Sequence, residues 1–409
     1  MNGHGILDKL VVIDLTQFLS GPFASQVLGN LGADIIKVEP LTGDSSRTIP
    51  PYYFNGESGY YLSTNRNKRS IAVDLKKPVG QKVVLDLVAR ADVVLSNYRP
   101  GVLERLGLGY ETLKSVKEDI ILCSITGFGE SGPYSDRPAY DMVVQALSGV
   151  MSLTGEEKGE PVRTGVPIGD LVAGLYADIA MLSALWNRSL TGRGQRIDIS
   201  MFDAQLSLLS YLGTYYLLSG DVPGRQGKGH VSIPTYRSFQ CSDNSPVVVT
   251  ANTEAMWKKL CVCIGRSDLV ERQEFETNEL RLEHREALWV DLEDAFAKRP
   301  AIEWAELLNA AGVPAAPVNT IDRALNDPHT MARDMIDEMV HVLGGSIRLI
   351  GNPIKAEDSD PVPTSPPLLG QHTTELLAEM GYVESRIEQL LSEKVVLQCP
   401  EIDIVKNVE

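Results

Sequence analysis

The sequence is poor in cysteine, has no excess of basic charge and carries no long unbroken apolar run. Its five cysteines, Cys123, Cys241, Cys261, Cys263 and Cys399, are an odd number without C-x-x-C spacing, which excludes a disulfide scaffold and disfavours zinc and dithiol sites. Cys261 and Cys263 lie beside Trp257 and Leu260 and read as packing residues in a reducing, cytoplasmic setting. Subtracting 54 acidic from 38 basic residues leaves a formal charge of −16, which opposes nucleic acids and anionic membranes as partners. An anionic ligand would need a local basic pocket. Met1–Gly5 has neither the basic start nor the apolar run of a signal peptide. The longest apolar run, Leu171–Trp186, is interrupted by Asp178 and is short of the ~20 residues that cross a bilayer, so a buried core helix is expected. His284, His329 and His341 show no metal-ligand spacing, and no metal is expected. After the first strand, Thr16-Gln17-Phe18-Leu19-Ser20-Gly21-Pro22 stands where a dinucleotide fold has Gly-x-Gly-x-x-Gly, which argues against a hydride-transferring enzyme.

Hydrophobic residues at 43% and charged residues at 22% describe an ordinary globular chain, and 409 residues allow two or three domains. Short β-branched runs (11–13, 34–38, 70–73, 92–95, 120–125) alternate with helical stretches (23–31, 79–89), which predicts βαβ units and a mostly parallel sheet. Two long helices, 171–189 and 202–219, are expected around a strand at 196–200. The sheet domain is expected to end near Gly220, with Asp221–Gly229 leading into a smaller α+β domain that runs to about 330. An acidic, proline-bearing crossing at 357–367 precedes a helical tail from Thr373.

Two basic segments stand out in this acidic chain. Asn65-Arg66-Asn67-Lys68-Arg69-Ser70 puts three cations in four positions beside a strand, and Asn97-Tyr98-Arg99-Pro100 with Arg105 follows another strand. Clustered Arg and Lys suit a phosphate-bearing ligand, or else form a solvated turn. Asp170 ends a Gly/Pro-bearing loop and starts the apolar helix. It suits an N-cap. It also suits a nucleophile, since a helix N-terminus favours a carboxylate and Gly169 would leave room for a substrate.

Several ordered motifs resemble the family III CoA-transferases, also called the CaiB/BaiF family. They include Gly21-Pro22-Phe23, Leu31-Gly32-Ala33-Asp34 through Pro40, Asn65–Asp74, Gly107-Leu108-Gly109-Tyr110, Ser124–Gly129, Tyr140-Asp141, Thr191-Gly192-Arg193-Gly194-Gln195, Gly312–Val318 and Pro366–Thr373. The resemblance implies an interlocked, ring-like homodimer. Each chain would have a Rossmann-like large domain (1–220, completed by a return segment, 331–409) and a small domain (221–330). It makes Asp170 the catalytic nucleophile and coenzyme A a substrate, with no permanently bound cofactor. Lys68, Arg69, Asn97, Tyr98 and Arg105 are then expected to hold CoA. Tyr140, Arg47, Gly227, Gly229 and His230 are expected near the acid substrate. The segment Arg225–His230 with Ser232, Ile233 and Tyr236 is most similar to succinyl-CoA:dicarboxylate transferases. Tyr140 stands where racemases of this fold carry a histidine, which disfavours an acyl-CoA epimerase. A non-catalytic CoA-binding subunit is the remaining alternative. Arg47 has a competing surface pairing with Asp44, His230 a structural role as a donor, and His372 a role in fixing the turn before the last helix.

Overall fold

The computed structural model describes residues 5–357, 359 and 361–400. Met1–His4, read above for a signal peptide, and positions 358 and 360 of the acidic crossing lie outside the described residues. The chain forms two compact units, one of Met1–Val150, Thr164–Thr214 and Met331–Glu409, the other of Met151–Arg163 and Tyr215–Thr330. Residues 1–220 are therefore not one uninterrupted block, because 151–163 and 215–220 group with the second unit.

The first unit is built on seven strands, β1 (Val11–Asp14), β2 (Asp34–Glu39), β3 (Lys68–Val73), β4 (Val93–Ser96), β5 (Ile121–Thr126), β6 (Arg196–Ser200) and β7 (Val396–Leu397). Across the sheet they run β7-β3-β2-β1-β4-β5-β6, all parallel except the edge pair of β7 with β3. The core of this mixed α/β sheet has the strand order of doubly wound nucleotide-binding folds, with its reversal between β1 and β4. Successive strand residues alternate between two buried faces. Ile13, Ile36, Ile71 and Val94 pack in one cluster with Leu376 and Leu390 of the C-terminal helices. Val12, Ile35, Val93 and Cys123 pack in the other with Ala24, Ala173 and Met181.

Helices of this unit include α1 (Ser20–Asn30), α2 (Gly59–Thr64), α3 (Pro78–Val88), α4 (Asp141–Leu147), α5 (Ile168–Thr191) and α6 (Met201–Ser207). The expected helix over 202–219 is two helices, because Ser210 takes a left-handed φ of 47° between α6 and Ser210–Ser219. At 1.5 Å per residue α5 is about 36 Å long. Its length and apolarity would suffice to cross a membrane. Instead it docks on α1 and the sheet through Ala173, Gly174, Ala177, Met181 and Ala184. The expectation of a buried helix holds for that face only, since Leu175, Ile179, Trp186 and Leu190 are exposed on this chain.

The second unit carries a three-stranded antiparallel sheet with Pro246–Thr250 between Tyr236–Gln240 and Ala315–Pro317. Helices Glu254–Cys263, Arg285–Phe296 and Ala301–Ala310 close its core around Trp257, Phe275, Phe296 and Trp304.

Candidate active site

A buried ionic network fixes the turn after β1. Lys37 donates to the Thr16 carbonyl at 2.9 Å and pairs with Asp44 at 2.8 Å, while Lys68 pairs with Asp14 at 3.1 Å. Asp44 accepts from the Phe18 amide, and Asn97, just after β4, pairs with both the amide and the carbonyl of Gln17 at 2.9 and 2.7 Å. Held this way, Phe18 adopts a left-handed φ of 64°, a costly conformation for a bulky residue. Its ring meets Tyr140 edge-on at 5.9 Å. Beside this turn, at the carboxyl ends of β1, β4 and β5, lies a cavity of about 270 Å³ lined by Gln17, Phe18, Tyr98, Arg99, Tyr140 and Asp170 among others. That is the crevice where open α/β sheets bind ligands.

Asp170 is half-buried in the first turn of α5. The N-cap reading does not hold: Pro167 occupies that position, and Asp170 lies within the helix. Burial pushes its carboxyl up to about 7, helped by the nearby Asp141 carboxylate and opposed by a hydrogen bond from Ser20. Gly169 does not leave room for a substrate either. A Cβ there would sit 2.0 Å from Gln205 Nε2 and 2.9 Å from Asp141 Oδ1, so the missing side chain lets these two groups approach the backbone. Asp141 accepts from the Gly169 amide at 2.7 Å and from Gln145 at 2.6 Å, and Ser148 donates to Gln205 at 2.8 Å. The network orients the start of α5 and hence Asp170. Tyr60 on α2 also lines the cavity, and burial followed by the Asp170 charge pushes its hydroxyl up to about 12, so it stays a hydrogen-bond donor.

The other expected site residues divide into those in the cavity and those committed elsewhere. Asn97, Tyr98 and Tyr140 line the cavity. Arg105 is exposed, its guanidinium lying over Gly101 at the end of the same loop. Lys68 and Arg69 are corrections. Lys68 is buried and spends its three donors on Asp14, the Pro22 carbonyl and Asn65 at 3.1, 2.9 and 2.9 Å. Burial lowers its ammonium to about 8 even against the pull of Asp14. Arg69 is ringed by Asp34, Glu375 and Glu379 at 2.6, 3.2 and 2.8 Å, and three carboxylates around one guanidinium repel a phosphate. Both begin β3 and stand at its amino end, away from the carboxyl ends that open onto the cavity. Arg47 is a further correction. It pairs with neither Asp44 nor an open site, but is buried between Glu39 (2.8 Å), Glu57 (2.7 Å) and the Pro367 carbonyl, and stacks on Tyr61 at 3.7 Å.

Gly227, Gly229 and His230 belong to the second unit and line a cavity of about 380 Å³ with Arg237 and Trp289. His230 stacks on Tyr236 and its Nδ1 accepts from the Ser232 amide. His372 Nδ1 accepts from the Ser70 amide, which ties the final helices to β3. The five cysteines are unpaired. Among the described residues no His, Cys, Asp or Glu cluster could hold a metal.

The cavity contains two cations, Arg99, which the sequence places in its second basic segment, and Arg137, which the sequence reading missed. Arg99 and Arg137 both line it, and neither has a carboxylate within ion-pair distance among the described residues. Arg137 lies over the Tyr134 ring at 3.6 Å. Arg99 follows a strand of the parallel sheet, whereas Lys68 and Arg69 open one.

The half-buried Asp170 carboxylate thus lies in the crevice where an open α/β sheet binds its ligand. The comparisons fix the class. The model of CoA-transferase family III matches residues 7–373, and the chain belongs to that family. Succinyl-CoA:glutarate CoA-transferase of Homo sapiens is 40% identical over 403 residues, covering 97% of this chain and 91% of that protein. Succinate–glutarate CoA-transferase of Agrobacterium fabrum is 36% identical over 391 residues, covering 92% and 96%. A CAIB/BAIF family protein from Brucella suis superposes with a TM-score of 0.83 at 37% identity, covering 93% of this chain and 100% of that one.

Proposed function

We propose that this CoA-transferase moves coenzyme A from an acyl-CoA, with succinyl-CoA as the donor, to a small dicarboxylate. The Asp170 carboxylate attacks the thioester carbonyl, forming an aspartyl mixed anhydride and expelling CoA thiolate. The thiolate attacks the aspartyl carbonyl, releases the donor acid and leaves an aspartyl-CoA thioester. The acceptor carboxylate attacks that thioester to form a second anhydride. Thiolate attack on its acceptor carbonyl then yields the new acyl-CoA and restores Asp170. One carboxylate is exchanged for another, so no ATP is consumed. The observation that carries this reading is a half-buried carboxylate of raised basicity at the mouth of the switch-point crevice. At neutral pH a carboxyl near 7 is partly ionised and its anion is a stronger base than an ordinary aspartate, which suits a nucleophile.

CoA is held in this reading by Asn97, Tyr98 and the free cations Arg99, Arg137 and Arg105, in place of Lys68 and Arg69. Tyr140 and Tyr60 contact the acyl group. Tyr140 is a poor proton acceptor beside Asp170, which counts against epimerisation. The working form is a homodimer of interlocked rings, supported by the exposed apolar side of α5. The compartment is the cytoplasm, supported by the unpaired cysteines. Incubation with succinyl-CoA and hydroxylamine should label Asp170 in wild type, and Asp170→Ala should lose both labelling and turnover. Full activity in that variant would overturn the mechanism, and CoA binding without turnover over a panel of acids would favour a non-catalytic subunit.

A further inference from the structure

The cavity of the second unit contains a buried arginine whose donors are unused. Arg237, on the strand Tyr236–Gln240, is 8% exposed. Its Nε and Nη1 are buried and have no hydrogen-bond partner among the described residues. Nη2 reaches the exposed Glu293 at 3.3 Å, a single contact at the solvent edge. The guanidinium lies 3.9 Å over the Trp289 ring, on a wall of the cavity. A buried guanidinium lacking partners is costly, and burial duly lowers its affinity for the proton. The surrounding charges do not supply the missing acceptor. Arg225 donates to the backbone carbonyls of Glu156 and Glu157, and Arg285 is no closer than 3.9 Å to Glu157. Of the charged side chains lining the cavity, Arg225, Lys228, Arg237 and Arg285 are cationic and Glu156 and Glu157 anionic. A basic cavity inside a chain of net charge −16 is a local inversion.

We infer that this cavity binds a carboxylate group of a small acid, with Arg237 as its anchoring cation and Trp289 as its apolar wall. A carboxylate supplies the missing acceptor to one of these unused donors, Nε or Nη1, with its second oxygen on the adjacent Nη2, a pairing stronger than a neutral hydrogen bond. Gly229 allows the fit. It pairs with Arg237 as an antiparallel bridge, and a Cβ on it would lie 3.0 Å from the Arg237 Cβ. The inference deepens the dicarboxylate reading, on which it rests, by moving recognition of the acid from Arg47, whose donors are taken, to Arg237. The bound acid is either the acceptor or a separate effector with the same carboxylate chemistry.

The full-length protein should be titrated with glutarate, with propionate and with inorganic phosphate, following tryptophan emission and calorimetric heat. Trp289→Phe assigns the optical signal. Saturable binding of glutarate is expected in wild type, weakened about tenfold or more in Arg237→Gln and partly restored in Arg237→Lys. If the acid is the acceptor, Arg237→Gln also raises the glutarate KM while hydroxylamine labelling of Asp170 by succinyl-CoA is unchanged. If it is an effector, the binding constant changes and the acceptor KM does not. No saturable glutarate binding in wild type, or equal binding in a folded Arg237→Gln, overturns the site, as does phosphate binding in preference to both acids. Labelling at Asp170 is read separately, so failure here and failure of the aspartyl mechanism are distinguishable.

Discussion

At the scale of the residue, the chemistry rests on how two carboxylates share one helix start. Burial and the Asp141 charge raise Asp170 to about 7, and only its ionised form attacks a thioester. On this reading kcat/KM for acyl-CoA should fall as the pH drops through about 7, tenfold per unit below it. Asp141→Asn keeps an acceptor for the Gly169 amide but removes the like charge, so the acid limb should move to lower pH. A profile with its midpoint near 4 in wild type, or one unmoved by Asp141→Asn, would contradict this. The cations make a second prediction. Arg99→Ala or Arg137→Ala should raise the acyl-CoA KM about fivefold or more with kcat little changed, because contacts remote from the thioester are made equally in ground and transition states. Arg69→Ala should instead leave KM within about twofold and lower the melting temperature, since its partners are Asp34, Glu375 and Glu379. The sequence names all these arginines but not their partners. Arg47, Lys68 and Arg69 look available until folding brings Glu39, Asp14 and Glu379 to them, the last two from 54 and 310 positions away.

At the scale of the element, α5 carries both the proposed nucleophile, Asp170, and much of the core. Its close contact with α1 depends on Gly174, where a Cβ would meet the Ser20 carbonyl at 2.8 Å and Phe23 at 3.0 Å. Gly174→Ala should therefore push the helices apart at the residue that hydrogen-bonds Asp170. We expect kcat to drop about tenfold or more, in keeping with the sensitivity of catalysis to small misplacements. Unchanged kcat and melting temperature would mean the contact yields without cost. Further along α5, Asp178 is buried with neither oxygen hydrogen-bonded among the described residues, and burial pushes it up to about 9. Its folded-state pKa exceeds the ordinary 3.8, so the folded protein holds the extra proton. The contribution of this carboxyl to stability is thus full below about pH 4 and erodes as the pH rises towards 9. Asp178→Asn cannot ionise. Its melting temperature relative to wild type should rise steadily from pH 5 to pH 9, and a constant difference would refute the assignment. The boundaries of α5 were readable to within a few residues from its apolar run and Gly192, which ends it in a left-handed turn at φ 71°. Its one-sided burial was not readable, because Leu175 and Trp186 are as apolar as Ala177 and Met181.

For the whole molecule, the parallel sheet was legible because β-branched runs spaced by helices admit few other arrangements. The edge strand Val396–Leu397 was not, being two residues long with a partner more than 300 positions away. The assignment of 151–163 to the second unit is a matter of tertiary pairing, through bonds such as Gln226 to the Leu153 carbonyl, that no local pattern announces. Asp170 was visible as a candidate, while its neighbours Tyr60, Ser20 and Arg137 come from separate elements joined only at the switch-point crevice. These pieces meet in one claim, that the acyl group passes through Asp170. Isotopic oxygen follows that passage directly. With succinyl-CoA and glutarate labelled with oxygen-18 in its carboxylates, each turnover should leave one labelled oxygen on the Asp170 side chain. The next turnover should deliver an oxygen from Asp170 to the released succinate. Mass spectrometry of the Asp170 peptide reads the first event and of succinate the second. Label in both is the result expected. Label in succinate with none in Asp170, over many turnovers, would mean that the acceptor attacks the acyl-CoA itself, and the aspartyl account would fall.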